Sequence, residues 1–222
     1  MTSILEKLIA IIAPHACIVC SEEGNMLCDQ CLLNFPTTAL SICFLCGAES
    51  SRGVCATCRA SSGIEHVWTV GLHEGTLRQL IKDFKFNRAQ AAARPLAKLL
   101  AQQLPVLDTR TQLVPLPTAS KRIRQRGYDQ ALLLTRELSA LTRLPLTKAL
   151  LRKTQHRQLG TGRLQRIIQA EQAFALNPSL DLRGATVVLV DDVTTTGATL
   201  ASAAKPLKKT GALVSLIALA RA

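Results

Sequence analysis

The stretch Val187-Val188-Leu189-Val190-Asp191-Asp192-Val193-Thr194-Thr195-Thr196-Gly197-Ala198-Thr199 decides the fold of this chain. Its valine-rich start is too short for a helix and suits a parallel strand covered on both faces. Two adjacent carboxylates close the run, a hydroxyl-rich loop with one glycine follows, and a helix is expected from Ala198. Ligands of open α/β sheets bind at the carboxyl ends of such strands. There the loop N–H groups and the next helix's N-terminus suit a phosphate. The carboxylates repel a phosphate; they suit sugar hydroxyls, or a metal bridging to them. The pattern points to a sugar phosphate. A plain strand-turn-helix with threonine caps is the alternative, and it leaves two carboxylates and four threonines in nine residues without a purpose.

This order of apolar strand, paired acids and Thr-Gly-x-Thr loop resembles the ribose-phosphate signature of type I phosphoribosyltransferases. The resemblance implies that Asp191 and Asp192 hold the ribose 2- and 3-hydroxyls of phosphoribosyl pyrophosphate. It implies that Thr194, Thr195, Thr196, Gly197, Ala198 and Thr199 form the loop around the 5-phosphate.

With 222 residues there is room for one large domain and a small one. A hydrophobic content of 48% supports a core, although only seven residues are aromatic. The formal charge of +12 is unevenly placed: residues 78–166 carry nineteen cations against four acids, whereas residues 1–70 carry three against six. A field of that sign attracts polyanions, either a pyrophosphate group or nucleic acid, and would otherwise serve solubility. The apolar N-terminal stretch Ile4 to Ile12 is interrupted by Glu6 and Lys7. It is too short to span a bilayer and lacks the features of a secretory signal. It is expected to be a short amphipathic helix packed on the protein, with no membrane insertion and a cytoplasmic location.

All eight cysteines lie in four Cys-x-x-Cys pairs: Cys17 and Cys20, Cys28 and Cys31, Cys43 and Cys46, Cys55 and Cys58. Two such turns supply the four thiolates of a tetrahedral Zn²⁺. Gly47 fits a knuckle in which the chain turns back under the metal. The short gaps inside 17–31 and 43–58 favour two successive ribbons built on hairpins; a cross-braced pairing of first with third and second with fourth stays open. Disulfides would need an oxidising compartment, and a redox Cys-x-x-Cys would normally be single. A segment this poor in aliphatics needs metal to fold, and its acidic balance favours a structural and docking role over direct DNA contact. The expected division is a zinc-ribbon domain over 1–62 and an α/β domain, a parallel sheet flanked by helices, over 63–222.

Between these parts Val67 to Leu72 reads as a strand, and Leu77, Leu80, Ile81 and Phe84 recur at helical spacing as a core face. Lys82, Lys85 and Arg88 can project from one side of that helix. A second helix is expected over about 90–103. The strand Leu113 to Pro117 runs into Lys121-Arg122-Ile123-Arg124-Gln125-Arg126, expected as a cationic loop opposite the sugar site, and Ala131 to Leu141 looks helical.

Taken in order, these pieces resemble the ComF family of competence-associated, phosphoribosyltransferase-like proteins. The resemblance rests on the cysteine pairs, Lys85-Phe86, Val114-Pro115-Leu116-Pro117, and Arg126-Gly127-Tyr128-x-Gln130. It rests also on Arg152, Gln158, Ala173-Phe174 and the Asp191-Asp192 loop. It implies binding of phosphoribosyl pyrophosphate with Mg²⁺ and displacement of pyrophosphate from the anomeric carbon. Charge moves onto the leaving group in that transition state, so nearby cations bind it more strongly there than in the ground state. Lys85, Lys121, Arg124 and Arg126 are the candidates, beside Asp191 and Asp192; Asp192 is also a candidate base or stabiliser of charge on the sugar. The acceptor is set by a variable hood, expected from the zinc module or from the cation-rich segment 143–175. Three positions depart from the family: Asp129 stands where asparagine is usual, and Ile168-Gln169 where Arg-Asn is usual. An added carboxylate and a lost cation would each weaken pyrophosphate binding, a charge-assisted hydrogen bond contributing roughly 1.5–3 kcal/mol. Three functions follow as expectations: a phosphoribosyltransferase, a non-catalytic protein that binds single-stranded DNA alongside DNA-uptake proteins, and a zinc-dependent scaffold.

Overall fold

The computed structural model describes residues 15–38, 41–86, 90–153, 173–194 and 197–222. The expected N-terminal helix, Arg88, Gln158, Ile168, Gln169, Thr195, Thr196 and most of segment 143–175 lie outside the described residues.

Four parallel strands form the central sheet. In chain order they are β1 (Ile64–Leu72), β2 (Gln112–Pro115), β5 (Thr186–Thr194) and β6 (Leu213–Arg221). Their spatial order is β1-β6-β5-β2. The valine run of β5 pairs with β2 through Val190 and Pro115, and with β6 from Thr186–Leu213 to Thr194–Arg221. Both neighbours are parallel, and Val187 to Val190 are buried between the layers on the two faces of the sheet. The strand does not stop at the acids, as the sequence suggested, but carries Asp191 and Asp192 beyond the end of β2. A separate antiparallel pair, β3 (Leu150–Arg152) with β4 (Phe174–Leu176), lies beside the sheet.

Alternation along the strands divides the core in two. Val188, Val190, Ile217 and Leu219 face α3 (Gly75–Phe86), α4 (Ala93–Gln103) and α6 (Gln130–Thr142). Val187, Leu189, Val214 and Leu216 face α7 (Ala198–Lys208) and the β3–β4 pair. The expected stripe of α3 is the buried one, with Leu77, Leu80, Ile81 and Phe84 all inside. The second expected helix is a 3₁₀ turn, Gln90–Ala92, continued by α4.

Each half of the cysteine segment follows one plan. A Cys-x-x-Cys turn is closed by Ser21 N–H donating to Cys17 O at 2.8 Å, and by Gly47 N–H donating to Cys43 O at 2.9 Å. One antiparallel bridge follows each turn, Ala16 with Glu23 and Ile42 with Glu49. The third cysteine then stands just before a short helix that carries the fourth, α1 (Asp29–Leu33) after Cys28 and α2 (Ala56–Ser62) after Cys55. The hairpin expectation thus holds for half of each unit; a helix builds the other half. The first unit joins the core beneath α4, where Lys98 Nζ meets Asp29 Oδ1 at 2.5 Å. The second joins the opposite core through Cys43, Phe44 and Val54.

Candidate functional site

At the carboxyl edge of the sheet, α3, the segment after β2, β3, the end of β5 and the start of α7 enclose a cavity of about 640 Å³. This volume suits a ligand of nucleotide size. Asp191, Asp192, Thr194, Gly197 and Thr199 line it. Lys85 and Arg126, with Arg78, Lys82, Arg122 and Arg152, belong to the same lining. Six cations and two carboxylates therefore share one lining.

The carboxylates differ. Lys85 Nζ donates to Asp192 Oδ1 at 2.9 Å, and both side chains are largely buried. Burial, and next the charge of Asp192, push the Asp191 carboxyl up to about 8, against the Asp192 N–H bond and the charges of Lys85 and Arg122. That N–H donates to Asp191 Oδ1 at 2.8 Å. Such a group gains from a hydroxyl or a cation placed against it. His73, which the sequence reading missed, also lines the cavity. Burial lowers its pKa first, followed by the charges of Lys85 and Arg78.

Three sequence expectations change here. The Lys121–Arg126 run is not a loop but a helix, α5 (Ser120–Arg126), ended by Gly127 at φ 86°. A helix turns its charges in different directions, so Arg122 and Arg126, four apart, line the cavity while Lys121 and Arg124 do not. Asp129 is also absent from the lining: it caps α6, accepting from Leu132 N–H at 3.2 Å and from the Thr118 hydroxyl at 2.9 Å. Asparagine and aspartate serve this position about equally, so the departure at 129 adds no carboxylate to the cavity wall.

The Arg126-Gly127-Tyr128-x-Gln130 stretch acts as a bracket. Tyr128 Oη donates to Phe84 O, one residue before Lys85. Arg126 donates to Gln130 Oε1 at 2.9 Å and lies over the Phe86 ring at 5.3 Å. Arg152 donates to Pro117 O at 3.2 Å and stacks on Phe174 at 5.2 Å from the ring centre. These contacts aim three cations before any ligand arrives.

The second cysteine unit touches the same site. A Cβ on Gly197, whose φ is 65°, would lie 2.5 Å from Leu45 Cδ2 and 3.2 Å from Phe44 O. Arg221, paired with Thr194 across the sheet, donates to Cys43 O at 3.4 Å and lies 5.2 Å from the Phe44 ring centre.

In both units the four sulfurs lie within 4.8 Å of one another, Cys17, Cys20, Cys28 and Cys31 in one and Cys43, Cys46, Cys55 and Cys58 in the other. The sequential pairing is the one found, and the cross-braced one is excluded. Sγ separations of 3.6 Å, for Cys20–Cys28 and Cys46–Cys55, are far from a disulfide bond of about 2.05 Å. They approach the roughly 3.8 Å edge of a tetrahedron with metal–sulfur bonds of about 2.3 Å. Burial raises the Cys17 thiol, but N–H groups of Cys28, Cys20 and Val19 outweigh it and bring it down to about 6. Cys43 reaches about 6 in the same way, through Cys55, Cys46 and Leu45. Burial, and next the neighbouring cysteine sulfurs, push Cys31 and Cys58 the other way; the near-tetrahedral spacing of four sulfurs is what fits Zn²⁺.

Among the described residues no helix is long and apolar enough to cross a membrane. Residues 91–222 match the phosphoribosyl transferase domain family. The chain is 31% identical to competence protein F of Haemophilus influenzae over 216 residues, covering 88% of this chain and 91% of that protein. It is 30% identical to the DNA utilization protein YhgH of Escherichia coli K12, covering 88% and 85%. It is 28% identical to competence protein ComFC of Bacillus subtilis, covering 88% and 83%. With the domain match, the paired four-cysteine units and the strand-end acids in one chain, the protein belongs to the ComF family of phosphoribosyltransferase-fold proteins.

Proposed function

We propose that the cavity binds phosphoribosyl pyrophosphate with Mg²⁺ and that the protein is a phosphoribosyltransferase serving DNA uptake. The observation that carries this reading is the gathering of Asp191, Asp192 and six cations around one cavity. Asp191 and Asp192 receive the ribose hydroxyls, and the Thr194–Thr199 loop, with α7 behind it, receives the 5-phosphate. Lys85, Arg122, Arg126 and Arg152 face the pyrophosphate, where they stabilise the charge that develops as the anomeric bond breaks. Mg²⁺ takes oxygen ligands and keeps much of its water; phosphate oxygens and the strand-end carboxylates offer such ligands. Each four-cysteine unit holds one structural Zn²⁺, within a metal-stabilised part over 1–62 that precedes the sugar-phosphate part over 63–222.

The test is calorimetry with phosphoribosyl pyrophosphate and Mg²⁺. Micromolar or tighter binding by the wild type, abolished in Asp191→Ala/Asp192→Ala, is the expected result. No binding by the wild type, or equal binding by the double variant, overturns the reading.

A second reading is supported by Lys121 and Arg124, which are exposed outside the cavity lining. They suit the backbone of single-stranded DNA led past the site, and the relatives' names point to DNA handling. Binding that weakens steeply with salt is its signature.

A further inference from the structure

We propose that the second cysteine knuckle, Cys43-Phe44-Leu45-Cys46, positions the Gly197 loop, so that metal in this unit controls phosphate affinity. The proposal rests on the reading that the loop holds a phosphate.

The two units share one plan but not one setting. In the first knuckle the residue before the second cysteine is Val19, which is 54% exposed. The corresponding residue of the second is Leu45, packed against the core and against Gly197. Phe44 is buried beside it and its carbonyl also abuts Gly197. The knuckle is anchored from behind, because Phe44 N–H donates to Gly53 O at 2.8 Å and Val67 N–H of β1 donates to Arg52 O at 2.9 Å. It is anchored from the side by Arg221. Gly197 in turn opens α7, its carbonyl accepting from Ala201 N–H at 2.8 Å.

A left-handed glycine has no side chain to hold its own conformation. Here the wall that limits the loop is the outer surface of a metal knuckle. A knuckle of this size keeps its shape through its metal. Loss of that metal frees Leu45 and Phe44 to move and widens the conformations open to Gly197. Leu45 is a positioning residue; it acts on the ligand only through the loop.

The experiment compares Leu45→Ala, Leu45→Met, Cys46→Ser and the matched control Val19→Ala in the full chain. Each is read by zinc per chain, by hydrogen exchange of the Ala201 amide and by calorimetry with ribose 5-phosphate. Leu45→Ala should keep both metals, yet exchange Ala201 about tenfold faster and bind the sugar phosphate about tenfold more weakly. Cys46→Ser should lose one metal and show the same two effects. Leu45→Met should restore both, and Val19→Ala should leave both unchanged. Equal behaviour of Leu45→Ala and Val19→Ala overturns the proposal. If Cys46→Ser fails to fold, the Leu45 pair still decides the positioning role. If the wild type does not bind ribose 5-phosphate, the functional reading fails, while Ala201 exchange still decides whether the knuckle holds the loop.

Discussion

Lys85 Nζ sits 2.9 Å from Asp192 Oδ1, joining the last turn of α3 to the end of β5 within the cavity lining. On the proposed reading the ribose hydroxyls and the pyrophosphate meet at this pair, so the ligand must divide it, each partner taking a new one. Lys85→Met would leave Asp192 without its ion-pair partner and remove one of the charges that hold Asp191 down. The Asp191 pKa should then rise further above about 8, and carbon-13 titration of the carboxyls checks this. Binding of phosphoribosyl pyrophosphate should fall by about ten- to a hundredfold with the loss of a charge-assisted bond.

Asp191 also ties stability to pH. Its folded pKa lies above its unfolded one, so the folded state binds the extra proton between about 4 and 8. Stability from this group is full below about pH 4 and is lost as pH rises through 8. Asp191→Asn removes that loss, so its Tm advantage over the wild type should grow from pH 4 to 8. For a chain of this size each kcal/mol corresponds to about 2–4 °C. Melting across that pH range is the measurement, and a constant difference would show that Asp191 does not titrate there.

The helical form of the 120–126 segment separates its charges. Arg122→Ala should weaken pyrophosphate binding about tenfold or more, whereas Arg124→Ala should change it by less than about twofold. Salt dependence of single-stranded DNA binding should show the reverse order, with the slope falling by about one for the loss of a phosphate contact at Arg124.

At Asp129 the substitution chosen matters more than the charge. Asp129→Asn should leave stability and ligand affinity nearly unchanged, because either residue caps α6. Asp129→Ala should cost about 1 kcal/mol, read by denaturant unfolding.

Chelation tests the cysteine units as a pair. Fresh reduced protein should carry two zinc ions per chain, and their removal should expose the buried Cys17, Cys43 and Phe44 together with the cores they join. A thiol titration reaching eight only after chelation would match this expectation.

What the sequence made legible was local. The β5 run, its acids and the start of α7 are contiguous, and the sequential cysteine units follow from short gaps. The stripe of α3 was readable from its 3.6-residue period. The helical form of 120–126 was not, because Ile123 alone supplies apolar content and a run of charges carries no period. Strands of three residues, as in β3 and β4, leave too little pattern to read. Arg78 and His73 join the cavity through tertiary packing, which no spacing announces. The seat of Leu45 on Gly197 links positions more than 150 residues apart and belongs to this class.

The placement of β6 bears on how the chain reaches this state. Trp68 pairs with Ile217, and β1 meets β5 only through that late strand. Contacts so distant in sequence make closure of the sheet slow relative to events inside each cysteine unit. A growing chain can complete its knuckles early, but the strands they rest on have no shared partner until residues 213–221 arrive. A lesion in those nine residues should therefore be as damaging as one in the acids of β5, and the half-made protein would present apolar strand edges to chaperones or to its own copies.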